Sequence, residues 1–457
     1  MSLRRVLIAN RGEIAVRIID ACRRLGIETV LAASAADLDS RPARLADHTV
    51  CIGPARPADS YLNVEAIVHA ALGVHADAIH PGYGFLSERA ALAHACERHG
   101  LVFIGPTATQ IEAVGDKLRA RERAQRTDVP VLPGGAVRST AEARDLLERI
   151  GLPVLVKAVA GGGGKGMKRV DRPDELPHAM QLAQSEAGSA FGDARVYIER
   201  FVARGRHLEV QLLGDGHGKV VHLGERDCSI QRRYQKLIEE TPAPGLPEPL
   251  RDRLHETAVR FAAGMAYRGA GTVEFLLDPQ WGEFYFLEMN ARIQVEHPIT
   301  EAVTGIDLVA EQIAIAAGAG LGIGQPDVQR RGCAIECRIN AENPARGFEP
   351  CPGRVSAVRW PAAAGIRVDT HIEPGARIPP YYDSLLAKVI AHGEGREEAL
   401  ERMWLAIAST RIEGVATNLP LHSTVLANRE FQAGGVDTGF LTRLLEHAPI
   451  GVEARLG

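Results

Sequence analysis

The chain has 457 residues, enough for two or three domains with an extensive hydrophobic core. Hydrophobic residues make up 46% and charged residues 24%, and the formal net charge is −4. The absence of a basic stripe argues against nucleic acid as a partner, and no apolar run is long enough to span a bilayer. Seven scattered cysteines without a Cys-x-x-Cys pair favour free thiols in a reducing cytoplasm.

The first 115 residues predict a doubly wound α/β unit. Arg4–Ala9 and Thr29–Ala33 predict strands on either side of an amphipathic helix at Glu13–Leu25. The pattern continues with strands at 76–80 and 102–105 and helices at 63–72 and 88–99. The first turn, Asn10–Glu13, has one glycine instead of Gly-x-Gly-x-x-Gly, which argues against a dehydrogenase.

A stretch rich in proline, glycine and valine near 127–137 predicts a boundary, and residues 131–202 predict a small α+β module. A glycine loop at 161–166 lies between two predicted strands, Val154–Ala158 and Met167–Val170. It is not a Walker A loop, because no Ser or Thr follows its lysine. Its backbone N–H groups could close over phosphates, which predicts a mobile lid; the alternative is a flexible hairpin tip.

Three lysines and a histidine are candidates for binding the phosphates of a nucleotide. Lys157 interrupts an apolar strand, where an ammonium group is unfavourable unless it meets an anion. Lys117 precedes the module and Lys236 follows it. His207 shares one face of a predicted strand with Glu209, so we interpret it as functional, although a single histidine is more often structural.

Two strand-like stretches, Gly271–Asp278 and Glu283–Asn290, predict a hairpin. If the hairpin is centred on Trp281, Glu274 lies opposite Glu288. Cross-strand neighbours have Cβ atoms about 5 Å apart, so two carboxylates there are unfavourable without a cation between them. We therefore expect Mg²⁺ or Mn²⁺, with ATP oxygens completing its shell; the alternative is a raised pKa on one carboxylate.

Polar residues occupy every second position from 288 to 296, namely Glu288, Asn290, Arg292, Gln294 and Glu296. If this stretch is extended, all five face one side. The residues between them then face the core, namely Met289, Ala291, Ile293 and Val295. Two carboxylates, a guanidinium and two amides can hold a divalent cation and an anion side by side. The alternative is a solvated strand face.

Residues 318–332 predict a linker, and a further mixed α+β unit follows from Cys333. Its predicted strands lie near 333–340, 354–360 and 386–392, and its predicted helices near 396–409 and 419–428. The predicted domains are 1–115, 116–317 with the module 131–202 inside it, and 333–446.

Lysines before a glycine lid, followed by a carboxylate hairpin, resemble the ATP-grasp ligases. Longer motifs resemble the biotin carboxylase family along nearly the whole chain, namely 8–15, 80–88, 225–229, 288–298, 336–340 and 379–384. This resemblance implies an N-terminal (pre-ATP-grasp) domain at 1–115, an ATP-grasp domain at 116–317 with a lid at 131–202, and a C-terminal biotin carboxylase domain at 333–446.

The resemblance also implies roles for individual residues. Contacts to ATP are implied for Lys117, Lys157, Gly162, Gly163, Gly164, Gly166, Glu199, His207, Gln231, Tyr234, Lys236, Glu274 and Glu288. Glu274, Glu288 and Asn290 would hold the metal, and Arg292, Gln294 and Val295 would bind bicarbonate. Glu296 would be the base, and Arg338 would stabilise the biotin enolate, with Tyr83 also contacting biotin.

The implied activity is ATP-dependent carboxylation of biotin by bicarbonate through carboxyphosphate, with Mg²⁺ or Mn²⁺, as the first half-reaction of an acyl-CoA type carboxylase. No biotinylation site or carrier domain is recognisable after residue 446, so biotin is expected on a separate carrier protein or domain. A carboxyltransferase subunit would select the acceptor, which this sequence does not identify. The family further implies a cytoplasmic homodimer.

One residue departs from the family pattern, since the family usually has histidine where this chain has Tyr234. Tyrosine keeps a hydrogen-bonding group but does not titrate near neutral pH, so we expect little loss of activity. A carbamoyl-phosphate-forming synthetase or an amino-acid ligase would share the lysines, lid and hairpin, but would not need Arg338. A nucleotide-binding regulator without catalysis is disfavoured by the intact set of charged residues.

Overall fold

The computed structural model describes residues 3–159 and 167–447. The predicted nucleotide contacts in the glycine loop lie outside the described residues, namely Gly162, Gly163, Gly164 and Gly166. Among the helices in the described ranges, none is long and apolar enough to cross a membrane. All seven cysteines are described and unpaired, which confirms the prediction of free thiols.

The N-terminal unit is a parallel sheet in the order β3-β2-β1-β4-β5 with helices against it. Its strands are β1 (Arg5–Ile8), β2 (Glu28–Ala33), β3 (His48–Cys51), β4 (Ala78–His80) and β5 (Val102–Phe103). Its helices are α1 (Gly12–Arg24), α2 (Arg41–Leu45), α3 (Val64–Gly73), α4 (Ala90–Arg98) and α5 (Ala108–Gly115). The strand order reverses between β1 and β4, so the loops after these strands flank the crevice where ligands bind in such sheets.

The predicted lid module is an antiparallel sheet in the order β6-β9-β7-β8. Its strands are β6 (Gly134–Val137), β7 (Val154–Ala158), β8 (Met167–Val170) and β9 (Val196–Arg200). Helix α6 (Lys117–Arg126) precedes it, and α7 (Thr140–Ile150) and α8 (Leu176–Phe191) pack on it. Val156, Ile198 and Ala183 are fully buried here, so the module has its own core.

The middle and the C-terminal part of the chain share one eight-stranded sheet, in the order β14-β13-β10-β11-β12-β15-β22-β20. From the middle of the chain come β10 (Arg206–Asp215), β11 (Val220–Arg232), β12 (Gln235–Thr241), β13 (Arg268–Asp278) and β14 (Glu283–Asn290). From later in the chain come β15 (Cys333–Asn340), β20 (Ile366–Thr370) and β22 (Leu385–Gly393). The other later strands form three two-stranded sheets, namely β16 (Glu342–Asn343) with β17 (Glu349–Pro350), β18 (Gly353–Arg354) with β21 (Arg377–Ile378), and β19 (Ala357–Arg359) with β23 (Arg411–Glu413).

Helices cover this sheet, namely α9 (Glu248–Ala263), α10 (His297–Thr304), α11 (Leu308–Ala316), α12 (Arg396–Ser409), α13 (Leu419–Leu426), α14 (Arg429–Ala433) and α15 (Phe440–His447). Strands β12 and β15 pair directly, with Glu239 opposite Glu336. The sheet therefore continues across the predicted linker at 318–332 and places residues from both sides of it on one surface.

The β13–β14 hairpin has Glu274 opposite Glu288, as predicted. Close to the turn the pairing differs by one residue, because Phe275 lies opposite Phe286. A bulge at Leu287 inserts the extra residue and restores the predicted register at the two carboxylates.

The prediction that residues 288–296 form one extended strand is wrong beyond Asn290, where β14 ends. The N–H of Ala291 donates to the carboxylate of Glu88 at 3.0 Å instead of to another strand. The chain then turns into α10, whose first turn contains a proline. Of the residues predicted to face the core, Met289, Ala291 and Ile293 are buried, whereas Val295 is half-buried and lines a cavity.

Candidate active site

A cavity of about 600 Å³ lies between the carboxyl edge of the N-terminal sheet, the lid module and the eight-stranded sheet. It is lined by the described predicted site residues other than Glu296, namely Tyr83, Lys117, Lys157, Glu199, His207, Gln231, Tyr234, Lys236, Glu274, Glu288, Asn290, Arg292, Gln294, Val295 and Arg338. Glu296 has no exposed surface and lies behind this wall. The fold thus brings together residues separated by more than 250 positions.

Lys236 is the centre of the charged network in this cavity. Its Nζ lies 2.5 Å from Glu209, 2.8 Å from Glu274 and 2.8 Å from Glu296. Burial alone would lower the pKa of Lys236, but these three carboxylates raise it well above its usual value. The ammonium group is therefore charged and already holds three anionic partners together.

Glu274 is held by neutral as well as charged donors. Asn290 Nδ2 donates to it at 2.8 Å and Gln294 Nε2 at 3.2 Å. His207 Nε2 lies 2.9 Å from its other oxygen, although the imidazole is not aligned for a hydrogen bond. Burial raises the pKa of Glu274, but Lys236 and His207 outweigh it and hold the pKa well below its usual range. The carboxylate of Glu274 is therefore ionised.

Glu296 is the N-cap residue of α10 and is buried between two cations. Its Oε2 accepts a hydrogen bond of 2.7 Å from Arg338, and its Oε1 accepts one of 2.8 Å from Lys236. Burial opposes ionisation, but these cations and Arg226 lower the pKa of Glu296 well below its usual value. The residue with the predicted role of base thus contacts the predicted enolate stabiliser.

Arg338 also contacts a carboxylate that the sequence did not single out. Its Nε donates to Glu239 at 2.6 Å, and Glu239 is fully buried. Burial raises the pKa of Glu239 to about 7, despite the opposing effect of the guanidinium. Arg338 therefore lies between a fully ionised carboxylate, Glu296, and one that titrates near neutral pH.

Arg292 and Gln294 form a small polar cradle beside this network. Arg292 donates to Gln294 Oε1 at 2.6 Å, to Asn290 Oδ1 at 3.0 Å and to Glu88 at 3.0 Å. Burial opposes a charge at Arg292, but Glu88 and Glu296 raise its pKa. A guanidinium and an amide two residues apart in one short connection suit a small planar oxyanion.

Lys157 meets an anion within the protein itself. Its Nζ lies 2.7 Å from Glu199, which is on the neighbouring strand, and 5.7 Å from the ring centroid of Tyr197. Burial lowers the pKa of Lys157, but Glu199 and Tyr197 more than compensate and raise it. Lys117, at the start of α6, lies 3.7 Å from Glu288 and forms the opposite wall.

Tyr234 lies at the mouth of the cavity in a two-residue turn between β11 and β12. Arg233 and Tyr234 both have left-handed backbone, with φ of 49° and 66°, as in a type I′ turn. Tyr234 is 51% exposed, so its ring is free to meet a ligand. Gln231, near the end of β11 just before this turn, also lines the cavity.

Tyr83 lies at the opposite end of the cavity, in the loop after β4. Its hydroxyl donates to Glu13, at the start of α1, and burial raises the pKa of that hydroxyl well above its usual value. Glu13 in turn lies 3.1 Å from Lys388. This end of the cavity is thus the switch point of the parallel sheet.

Several residues that were assigned no role from the sequence lie behind the cavity wall. Arg226 is fully buried and pairs with Glu209 at 2.5 Å, and Cys228 Sγ lies 3.9 Å from Glu296. Arg226 and Cys228 belong to the motif at 225–229, and Glu209 lies on the same predicted strand face as His207. A sequence pattern therefore marked each of these three residues. No sequence pattern marked Glu239, because only the pairing of β12 with β15 brings it to Arg338.

A divalent cation fits the donor set at the cavity edge. Glu274 and Glu288 are directly paired across β13 and β14, and Asn290 lies two residues further along. Carboxylate and amide oxygens are hard ligands of the kind that Mg²⁺ binds.

Comparisons with known proteins match nearly the whole chain. Residues 2–111 match the biotin carboxylase N-terminal domain, 116–323 the ATP-binding domain of the carbamoyl-phosphate synthase large chain, and 336–443 the biotin carboxylase C-terminal domain. The biotin carboxylase of Nostoc sp. is 50% identical over 446 residues, covering 97% of this chain and 100% of that protein.

Solved structures agree with this assignment. The biotin carboxylase domain dimer of Hydrogenobacter thermophilus 2-oxoglutarate carboxylase, in complex with MgADP, ADP and bicarbonate, has a TM-score of 0.95 and 44% identity, covering 99% of this chain and 100% of that chain. Campylobacter jejuni biotin carboxylase with β,γ-ATP has a TM-score of 0.94 and 43% identity, covering 97% and 99%. The chain therefore belongs to the biotin carboxylase family, ligases that use ATP and Mg²⁺ to carboxylate biotin.

Proposed function

We propose that this chain uses ATP and bicarbonate to carboxylate biotin presented by a carrier, with the residues of the described cavity in specific roles. One observation carries the assignment of roles: Glu296 contacts both Lys236 and Arg338, and the Arg292–Gln294 cradle lies on the adjoining turn. The base Glu296, the anion site and the cation Arg338 thus adjoin one another. This arrangement suits two successive steps, the phosphorylation of bicarbonate and the carboxylation of biotin.

In the first step, bicarbonate lies on Arg292, Gln294 and the backbone of Val295. Glu296 takes its proton, and the resulting oxygen nucleophile attacks the γ-phosphorus of ATP. The bond from this phosphorus to the β,γ-bridging oxygen breaks, which gives carboxyphosphate and ADP. Lys236 lies next to Glu296 and offsets the charge that builds up on the transferred phosphoryl group.

In the second step, carboxyphosphate separates into CO₂ and phosphate. The phosphate takes the N1 proton of biotin, and the biotin enolate attacks CO₂ to give carboxybiotin. Arg338 stabilises the enolate oxygen, and Tyr83 contacts biotin from the N-terminal domain. The buried surroundings exclude water, which would otherwise hydrolyse carboxyphosphate.

ATP occupies the side of the cavity between the lid and β11–β14. Lys117, Lys157 and His207 face its phosphates, Glu199 lies near the adenine, and Gln231 and Tyr234 complete the opening. Binding of the phosphates offers Lys157 a second anion besides Glu199, which lies 2.7 Å from it.

Mg²⁺ or Mn²⁺ would be held by Glu274, Glu288 and Asn290. The bound ion supplies positive charge that screens the phosphate oxygens of ATP. Lys236, which lies 2.8 Å from Glu274 and neutralises it, would then be free to contact the nucleotide.

We also propose the domain limits 1–115, 116–317 and 333–446, a homodimer, a cytoplasmic location, and partnership with a biotin carboxyl carrier and a carboxyltransferase. The dimeric relative from Hydrogenobacter supports the dimer, and the unpaired cysteines support the reducing compartment. An acyl-CoA acceptor is the first to test, with 2-oxo acids as the alternative.

The direct test is release of ADP by the purified protein with Mg-ATP, with and without bicarbonate and then with free biotin. We expect turnover that requires bicarbonate and rises with biotin. Ammonia and glutamine serve as controls, because the match of 116–323 to a carbamoyl-phosphate synthase domain makes that activity the competing one. Turnover driven by ammonia and indifferent to biotin would refute the proposal.

A further inference from the structure

The turn at 294–296 is fixed from behind by two side chains that do not line the cavity. His297 Nδ1 lies 2.8 Å from the carbonyl oxygen of Gln294. Lys388 Nζ donates to the carbonyl oxygen of Val295 at 3.0 Å. Both side chains are fully buried, so neither contact competes with solvent.

The protonation of His297 follows from its surroundings. Burial, together with the positive charges of Lys388, Arg17 and Arg367, holds the pKa of His297 well below its usual value, so the ring is neutral. Because the Gln294 carbonyl can only accept, the single ring hydrogen is on Nδ1. Nε2 is then a bare acceptor, and it has no hydrogen-bond partner among the described residues.

The backbone N–H of His297 also donates to this carbonyl oxygen, at 3.4 Å, and the shorter side-chain contact adds to it in fixing where the next N–H group points. The Gln294–Val295 peptide is trans, so its C=O and N–H face opposite sides. With the carbonyl held by His297, the Val295 N–H faces away from it, and Val295 lines the cavity. Within the described chain, this N–H donates to no other backbone or side-chain group. A valine side chain has no polar atom, so this N–H is its only donor for an anion.

Lys388 fixes the following peptide in the same way. Its ammonium group lies 3.1 Å from Glu13 and 3.8 Å from Asp369, which belong to α1 and β20. Lys388 thus ties the Val295 carbonyl to helix α1 of the N-terminal unit and to strands β20 and β22 of the large sheet. Because Glu296 follows directly, this tie also orients the base.

We propose that His297 is a positioning residue for bicarbonate: its Nδ1–H holds the Gln294 carbonyl so that the Val295 N–H faces the anion, while Lys388 fixes the next peptide. The inference rests on the proposed function, since it assigns a role within the same reaction. It extends the site to a side chain that touches neither substrate nor metal.

Two substitutions separate positioning from bulk stability. In His297→Asn the amide nitrogen takes the place of Nδ1, whereas in His297→Gln it takes the place of Nε2. We expect His297→Gln to raise the KM for bicarbonate about tenfold while the KM for ATP stays within about twofold, because one hydrogen bond to an anion is lost. His297→Asn should stay within about threefold of wild type for both. Equal effects of the two variants, or equal changes in both KM values, would overturn the proposal.

A matched control is His255→Asn. His255 is also buried and pairs with Glu225 at 2.7 Å, away from the cavity, so this change should lower the melting temperature without moving the KM for bicarbonate. If the His297 variants fail to fold, ¹⁵N-histidine NMR of the wild type decides. We expect His297 as the Nδ1–H tautomer near neutral pH, with a signal that shifts on adding bicarbonate. The Nε2–H tautomer, or no shift, would overturn the inference.

The two levels of proposal fail in different ways. If the wild type shows no bicarbonate-dependent ADP release, the proposed function fails. If the wild type is active but the Asn and Gln variants bind bicarbonate equally well, only the role of His297 fails.

Discussion

Glu296 Oε2 lies 2.7 Å from a guanidinium nitrogen of Arg338, so the proposed base and the proposed enolate-stabilising cation are directly paired. The other oxygen of Glu296 is paired with Lys236. These contacts keep the carboxylate ionised but also reduce its basicity, since its pKa lies well below the usual range. If Glu296 is the base, weaker contacts to Lys236 and Arg338 would raise its pKa and make it a better proton acceptor.

Glu296→Gln should remove the base while keeping the shape of the side chain. We expect kcat for bicarbonate-dependent ADP release to fall by about 10²–10⁴-fold, the usual contribution of a general base. Binding of ATP should change by less than about threefold, because Glu296 is not among the residues assigned to contact ATP. Steady-state kinetics and calorimetric titration with ATP give the two numbers. A variant that keeps full turnover would exclude Glu296 as the base.

Glu239 predicts a specific pH dependence of stability. Its pKa is about 7 in the folded protein, against about 4.3 in an unfolded chain. Between these values the folded state binds the extra proton, so the free energy of unfolding falls as pH rises through this window. Glu239→Gln removes that proton uptake, and each pKa unit corresponds to about 1.4 kcal/mol.

The measurement compares urea midpoints of wild type and Glu239→Gln at about pH 5 and about pH 8. The wild type should lose stability relative to the variant as the pH rises, by about 1–3 kcal/mol. Parallel pH dependence in the two proteins would contradict a titrating Glu239.

Single and double substitutions in the Lys157–Glu199 ion pair distinguish its contribution to stability from its contribution to ATP binding. Lys157→Met leaves a buried carboxylate without its cation, which should cost about 3–5 kcal/mol of stability. The double variant Lys157→Met/Glu199→Gln should recover much of that loss, because no charge is left unpaired. Both proteins should show a KM for ATP raised at least about tenfold, since the phosphate contact is gone in each.

Lys168→Met is the matched control for this pair. Lys168 forms an ion pair of the same length, 2.7 Å, with Glu186, but at the surface of the lid module. Its removal should cost less than about 1 kcal/mol. If the double variant regains ATP affinity along with stability, Lys157 does not bind the nucleotide.

Local patterns predicted the parallel N-terminal sheet and the carboxylate hairpin because each depends on neighbours in sequence. The Glu274–Glu288 pairing was predicted from symmetry about Trp281, and it holds only because the bulge at Leu287 offsets a one-residue shift at the turn. Alternation of side chains could not reveal that β14 ends at Asn290, since Glu88 captures the next N–H from a distant loop.

Sequence patterns could not predict contacts between elements that are far apart in the chain. Arg338 meets Glu239 and Glu296 only because β12 pairs with β15 across a predicted linker. The sequence motif marked Arg338 through its resemblance to a family, and not through any local signal of its partners. Burial of Lys388 and His297 was likewise invisible, because both side chains are polar and usually exposed or half-exposed.

Replacing Tyr234 by glycine should stabilise the turn that contains this residue. Tyr234 has φ of 66°, a left-handed conformation that costs a residue with a side chain roughly 1–2 kcal/mol. Tyr234→Gly should therefore raise the urea midpoint while lowering ATP affinity, because the exposed ring at the cavity mouth is lost. If ATP affinity is unchanged in Tyr234→Gly, the ring does not contact the nucleotide.

Tyr234→His tests whether the departure from the family pattern matters. Histidine keeps an aromatic ring and a hydrogen-bonding edge at the same exposed position, so we expect turnover within about threefold of wild type near neutral pH. Tyrosine does not titrate in this range, whereas histidine does, so only the variant should gain a new pH-dependent change between about pH 6 and 7. The assay is bicarbonate-dependent ADP release across this range. A manyfold gain in turnover at all pH values would show that Tyr234 limits catalysis.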